Sequence, residues 1–544
     1  MANLSRLRRE RMFDFLNNLK VENRHDEKIL QSIAEIENEL NEKKYGLVWE
    51  EHSEEVDERM VDNVPILLED KSREIATSGD DKYSFLIEGD NLHSLKLLDK
   101  THHEKIDVIY IDPPYNTGNG DFMYDDNYVG ADDGYRHSKW LSFMNSRLRL
   151  AKELLRDTGI IFISINDIEN AQLKMLMDDI FDESNFIGQL VWESTTQPTN
   201  AGSAKFQLQK KTEPIYCYAK NKFARNGFLL KSLSVSSSYP HKGKYGACRF
   251  EIIEKSDAGA YRRDSMKYKI LGQEPRPGKR WQIGEETARK LEAEGKLEIV
   301  NGIVKRAVYP EDEGGKESYA PFWSLLLADQ VKTAQTGKDE LNKVLNRAVG
   351  FDTVKPVALM KELFSHFDNN VQILDFFAGS GTTAQAVLEL NKEDGGSRKF
   401  ILCTNNESGI CSDVTYPRIK TVVTGIRPDG SGYSDGIPAN VKYYKTEFVA
   451  KDNETLVDDL IAHTDEMIQL EYGVQIDKDK YISILTDEEA NELFENWDKY
   501  PNIRAIYVSR HVILNAEQRK LFYTKGVYII PDYYYREELR EVGE

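Results

Sequence analysis

The chain has 544 residues, 40% of them hydrophobic and 30% charged, with 4 cysteines and a net charge of -20. That length and apolar content supply several cores and favour three or more domains, and the lack of any run of about 18 apolar residues argues against a membrane-spanning helix. Cys217, Cys248, Cys403 and Cys411 lack the paired short spacing of a zinc site, and no apolar stretch follows the charged N-terminus, so the sequence reads as a reduced, cytoplasmic protein without a secretory signal.

Residues 5–44 have helical periodicity and dense mixed charge without glycine or proline, which suits a helix packed on a neighbour or a partner subunit. From Tyr83 strands and helices alternate: Phe85-Leu86-Ile87, a helix to about residue 98, then Ile106-Asp107-Val108-Ile109-Tyr110-Ile111. This last run reads as a buried parallel strand, and Pro113 and Pro114 after it forbid both helix and ladder. Asp112 therefore falls in a stiff loop at a strand's carboxyl end, the edge where open α/β sheets place ligands. An acidic, aromatic loop follows at 121–136, whose Asp125, Asp126, Asp132 and Asp133 lack the spacing of a calcium loop and are assigned no metal. A helix at 140–156, a strand at 160–165 and a helix at 168–181 come next. Residues 188–192 and 214–218 read as an antiparallel edge. Between about 223 and 348 the alternation gives way to short β-like pieces. It resumes near Val354 with a helix, a strand ending at Asp375, a glycine turn, a second helix and the strand Lys399-Phe400-Ile401-Leu402-Cys403. Residues 451–544 suggest a small, acidic α/β unit, with strands at 505–508 and 526–530, used for subunit contacts.

The string Asp112-Pro113-Pro114-Tyr115 suits methylation of an amino group. An exocyclic amine on a nucleobase is a poor nucleophile, because its lone pair is delocalised into the ring. Acceptors aimed at its N–H bonds draw that pair back: the Asp112 carboxylate supplies one and the Pro113 carbonyl, held rigid by the prolines, a second. Such preorganised dipoles contribute a few kcal/mol per group, about 3 in measured cases. Tyr115 offers a flat face for an extruded base, worth about 1–3 kcal/mol. The plain alternative is a strand ending in an Asp-Pro turn.

The glycine turn reads Asp375-Phe376-Phe377-Ala378-Gly379-Ser380-Gly381-Thr382-Thr383. It lacks the Gly-Lys-Ser/Thr of a triphosphate loop, and Ala384 replaces the third glycine of the dinucleotide fingerprint. Gly379 and Gly381 let the backbone approach a ligand closely. Asp375 suits the cationic amino-acid end of a cofactor such as S-adenosylmethionine, with Phe377, Ala378, Gly379, Gly381 and Thr382 as neighbouring contacts. Glu407, just past the next strand, is placed for ribose hydroxyls.

Together, the Asp112 to Gly118 string and the later Asp375 to Thr383 turn resemble the adenine DNA amino-methyltransferases whose catalytic motif precedes the cofactor motif. Within that class the chain is similar to the modification subunit of type III restriction-modification systems, as are the stretches Tyr45 to Glu51, Asp413 to Lys420 and Gly436 to Tyr444. The resemblance implies a Rossmann-like class I methyltransferase sheet, circularly reordered, with a target-recognition domain inserted at 223–348. It divides the chain into a helical arm and leader (1–80), a catalytic half (81–222), that insertion, a cofactor half (349–450) and the tail (451–544). It also implies that Asp90 contacts the cofactor adenine and that Lys355, before Pro356, closes over the cofactor. Further implications are double-stranded DNA as substrate, a homodimer and an ATP-dependent helicase-nuclease partner; a solitary methyltransferase, RNA or cytosine remain alternatives. A net charge of -20 is compatible with DNA because residues 201–280 hold 18 Lys and Arg against 6 Asp and Glu. Lys242, Lys244, Arg262, Arg263, Lys267, Arg276, Lys279 and Arg280 are the candidate DNA contacts, interleaved with aromatics and hydroxyls at 234–239 and 261–263.

Overall fold

A computed structural model describes all residues except 1–3, 25–26, 42–48, 51, 119–121, 125–126, 199–201, 203–204, 207, 226, 234–238, 259–262, 314–317, 352 and 542–544. Two compact units emerge, one formed by 1–227 with 323–544 and the other by Phe228–Phe322.

The first unit is built on a mixed sheet of 11 strands. In spatial order they are Asn63–Glu69, Asn440–Ala450, Ser84–Glu88, Lys399–Thr404, Gln372–Asp375, Ile106–Ile111, Leu155–Ser164, Glu213–Ala219, Phe186–Trp192 and Leu325–Leu326, with Ile75–Ala76 paired to Asn440–Ala450. The six strands from Asn440–Ala450 to Leu155–Ser164 run parallel, and Glu213–Ala219 is antiparallel to both its neighbours. Every residue of Ile106–Ile111 except Asp107 is buried, as a strand covered on both faces requires. Helices Asn91–His102, Arg136–Leu154 and Asn170–Phe181 supply Leu95, Trp140, Leu148 and Leu173 to the same core as Ile109, Ile161 and Leu374.

Several expected boundaries move. The single helix expected at 5–44 is two, Leu4–Glu22 and Glu27–Asn41, linked by the Lys20–Glu37 ion pair. The tail adds a third strand, Tyr481–Ile484, to a parallel sheet with Ala505–Ser509 and Gly526–Ile530. Tyr481, Tyr507 and Tyr535 share the core of the main sheet, so the tail packs as part of the first unit.

The insertion expected at 223–348 is replaced by the shorter unit Phe228–Phe322. Its four-stranded antiparallel sheet, ordered His241–Gly243, Gly246–Ile252, Ile303–Val308 and Leu297–Val300, has its own core with Trp281, Ala288 and Leu291. Residues 323–348 return to the first unit, where Leu325–Leu326 pairs with Val191 and Trp192 and helix Ala334–Leu345 buries Leu341, Val344 and Leu345. Among the described residues no helix is long and apolar enough to cross a membrane.

Candidate functional site

Strands Ile106–Ile111 and Gln372–Asp375 lie side by side in parallel, Ile373 opposite Val108. From this pair the chain departs in opposite directions, one strand leading to Leu155–Ser164 and the other to Lys399–Thr404. That divergence opens a crevice at the strands' carboxyl ends, where such sheets hold ligands. The crevice is a cavity of about 760 Å³ bordered by both loops, through Asp112 and Pro114 from one and Phe376, Phe377 and Gly379 from the other. Asp90, Thr404, Asn405 and Glu407, from the next two strand ends, border it as well.

The Asp112 loop is fixed from below. Trp140, fully buried, donates its indole N–H to the Pro114 carbonyl at 2.8 Å. Asn116 takes a left-handed conformation, φ 55°, and its buried amide donates to Glu169 at 2.5 Å and to the Arg136 carbonyl at 3.1 Å. His137 lies 2.7 Å from the same Glu169 oxygen. Pro113 is buried, and both oxygens of Asp112 are occupied. The Tyr115 hydroxyl donates to Oδ1 at 2.8 Å and Lys355 Nζ donates to Oδ2 at 2.7 Å.

Lys355 is thus found on the catalytic candidate, where the resemblance had implied a cofactor contact. Its side chain is 5% exposed, and Nζ lies 2.8 Å from the Tyr115 oxygen and 3.7 Å from Glu213 Oε2. Burial alone would lower the Lys355 pKa, but the carboxylates of Asp112 and Glu213 outweigh it and leave it raised. Burial, followed by the same two acids, holds the Tyr115 phenol far above its usual range, so it stays neutral. Tyr115 spends its hydroxyl in this cluster and is absent from the cavity wall, where Phe122, Tyr128, Phe143, Phe351, Phe376, Phe377 and Phe448 supply phenyl and phenol rings and His93 an imidazole. Glu213 escaped the sequence reading. Its only signal is an acid and a proline heading an otherwise apolar strand.

Asp375 also departs from expectation. Its carboxylate is 2% exposed and turned inward, accepting from Phe377 N–H at 3.1 Å and Thr383 Oγ1 at 2.5 Å. Burial pushes its pKa up to about 7, against those two hydrogen bonds. It braces the turn and does not face the cavity. Ala378 is buried, its N–H donating to the Cys403 carbonyl at 3.1 Å, and Thr382 accepts from the buried Arg418 at 2.8 Å. Gly381 starts helix Thr382–Asp394 in a left-handed conformation, φ 75°, where a Cβ would crowd Thr415. Of the expected contacts on this turn, only Phe377 and Gly379 border the cavity.

Asp90 does so while capping helix Asn91–His102, accepting from Leu92 N–H at 2.7 Å. Its other oxygen lies 3.5 Å from Arg147, a fully buried guanidinium held by Glu54 at 2.6 and 3.0 Å. That pair ties helix Glu55–Asp62 to the site, and Glu54, Glu55, Val56 and Arg59 form a wall that sequence did not indicate.

A family model described as DNA methylase, of the N6/N4 methyltransferases, matches residues 106–416, a span that contains the Asp112 loop, Lys355 and the glycine turn. The chain belongs to this DNA methylase family. It is 31% identical over 443 residues to the Mod subunit of the type III restriction-modification enzyme StyLTI of Salmonella typhimurium, covering 73% of this chain and 65% of that protein. It is 30% identical over 451 residues to the EcoP15I Mod subunit of Escherichia coli, covering 69% and 66%. With the type II methyltransferase M.KpnI of Klebsiella pneumoniae it shares 33% identity over 389 residues, 66% of this chain and 90% of that one. The chain therefore spans slightly under two thirds of the length of the two Mod subunits.

In this DNA methylase family member the basic residues expected to meet DNA divide into two groups. Lys242, Lys244 and Arg263 are exposed and Lys279 is partly so. Lys267 pairs with Asp257 and Asp264, and Arg276 with Glu254 at 2.6 Å. Arg280 is 7% exposed within 4.0 Å of Asp257, so it is withdrawn as a DNA contact: a buried, paired guanidinium cannot reach phosphate. Arg262, with Tyr261 and Ser234 to Ser238, lies outside the described residues.

Proposed function

We propose that the protein transfers a methyl group from S-adenosylmethionine to the exocyclic N6 of adenine within a short DNA sequence, as the modification and recognition subunit of a type III restriction-modification system. The observation that carries this reading is the shared cavity: the Asp112 carboxylate and Gly379 of the glycine turn, 267 positions apart in sequence, border one crevice at a strand switch point. The lining suits the methyl donor. Asp90 and Glu407 offer carboxylates for amine and ribose donors, Phe377 and Phe351 offer rings, and Gly379 leaves the rim free of a side chain. When bound there, S-adenosylmethionine would supply a sulfonium methyl open to in-line displacement.

The protein's own contribution is alignment and charge. Asp112 and the Pro113 carbonyl accept from the two N–H bonds of an extruded amine, while Trp140 and Asn116 hold that loop in register. Asp112 acts as acceptor and orienter, since an ordinary carboxylate is too weak a base to deprotonate the neutral amine. Exposed Lys242, Lys244 and Arg263 supply contacts to DNA phosphates. ATP-driven motion and cleavage fall to a helicase-nuclease partner, since the sequence contains no Gly-x-x-x-x-Gly-Lys-Ser/Thr loop. A homodimer is the assembly proposed. Modification-sensitive long-read sequencing of DNA from cells expressing the protein tests the reading: adenine marks at one short motif are expected, and unmarked DNA would reject it.

A further inference from the structure

We propose that Lys355 and Glu213 form a charge-exchange device for the target amine: the Lys355 ammonium stands on Asp112 until an extruded base displaces it, and Glu213 then holds the displaced ammonium. This rests on the methyltransferase reading of the Asp112 site and adds two positioning residues to it.

The geometry is one of competition for a single acceptor. Asp112 has two oxygens; Tyr115 occupies Oδ1 at 2.8 Å and Lys355 occupies Oδ2 at 2.7 Å. Asp112 borders the cavity, so an amine entering from it meets an acceptor already engaged by an ammonium. Oδ2 retains a second lone pair, but an ammonium on the same oxygen neutralises its charge, so it acts on the target amine at full strength only when Lys355 yields. An ammonium whose side chain is 5% exposed cannot simply be abandoned there, because an unpaired buried charge is strongly unfavourable.

Glu213 resolves the conflict. Its Oε2 lies 3.7 Å from Lys355 Nζ and 3.4 Å from the Tyr115 hydroxyl, and its side chain is 10% exposed, so it belongs to the same buried cluster as Asp112. A small torsional change in the lysine stem moves Nζ from one carboxylate to the other without leaving that cluster. The balance of charge supports the same role. Two carboxylates, one ammonium and a neutral phenol leave one surplus negative charge. With Lys355 on Glu213, that charge resides on Asp112, facing a nitrogen that turns cationic as it accepts the methyl group. Without Glu213 the surplus vanishes, and Lys355 stays locked on the acceptor.

Paired substitutions separate this device from a structural prop. Single-turnover transfer of labelled methyl from S-adenosylmethionine to genomic DNA of an unmodified host is measured alongside calorimetric binding of S-adenosylmethionine. Glu213→Gln, which keeps shape and removes charge, should slow transfer at least tenfold while cofactor affinity stays within twofold. Adding Lys355→Met to that variant should recover most of the loss, since the competing donor is gone. Glu213→Asp, which keeps the charge, should lie nearer wild type than Glu213→Gln. The device is overturned by a Glu213→Gln rate equal to wild type, by a double variant no faster than Glu213→Gln, or by loss of cofactor binding in both Gln and Asp variants, which would make Glu213 a prop. Wild-type protein that binds the cofactor yet transfers nothing to DNA would overturn the methyltransferase reading itself.

Discussion

At the scale of residues, the Asp112 loop was legible because chemistry and backbone restriction coincide: the prolines stiffen the loop and the carboxylate ends a strand. Asp112→Ala is expected to retain cofactor binding by calorimetry while transfer falls by about 100- to 1,000-fold, the usual loss for one preorganised partner of a developing charge. Lys355 was expected over the cofactor and is found against Asp112 instead. It lies 243 positions from Asp112 in the chain, and no local pattern tells which carboxylate a distant lysine meets. Asp375 was misread for the opposite reason. The residue borders a ligand turn in sequence, but the Phe377 N–H and Thr383 hydroxyl draw it inward. Its folded pKa of about 7 lies above the ordinary 3.8, so the native state holds a proton that the unfolded chain has already released. Its contribution to stability is present at acid pH and is lost as pH rises from about 4 to about 7. Asp375→Asn, neutral throughout, should flatten that part of the stability profile when urea midpoints at pH 5 and pH 7.5 are compared. An unchanged profile would contradict the burial assigned to this carboxylate.

At the scale of elements, the strands and the two motif loops followed from apolar runs, whereas helix Ala334–Leu345 was assigned to the wrong unit. Its two-residue strand neighbour, Leu325–Leu326, is too short to register as a return to the sheet. The helix matters to the site through Gly337. A glycine inside a helix costs about 1 kcal/mol relative to alanine, so its presence points to a close approach. A Cβ there would lie 2.2 Å from the Val354 carbonyl and 2.9 Å from the Lys355 backbone. From the same helix, Glu340 accepts from Val357 N–H at 2.9 Å, at the start of the next helix. Gly337→Ala should therefore lower stability by about 1–3 kcal/mol, the usual range for overpacking, and slow transfer by shifting Lys355. Thermal melts with single-turnover rates check both. A stabilised, fully active variant would contradict the packing described. Asn116, in its left-handed conformation, was equally invisible in sequence, since asparagine after Pro-Pro-Tyr reads simply as a turn residue.

At the scale of the whole molecule, the reordered sheet was legible because one strand-loop motif, from Asp112, precedes the other, from Asp375, by 263 residues, and their union at a switch point depends only on parallel pairing. The limits of the inserted unit and the incorporation of the tail were not, since both depend on which faces meet. The excess of basic residues at 201–280 was visible, but which of them are free was not: acids from the same unit occupy Lys267 and Arg276. Lys242→Ala with Lys244→Ala should weaken DNA binding across sequences and reduce its salt dependence by about one released counterion per lysine, read from affinity against salt concentration. Arg280→Ala should instead show its effect in stability. The most direct measurement of the central claim is the identity of the methylated nucleoside after the protein is incubated with unmodified duplex DNA and labelled S-adenosylmethionine. Label in N6-methyladenine is the expected result; label in a methylated cytosine, or none in DNA at all, would contradict it.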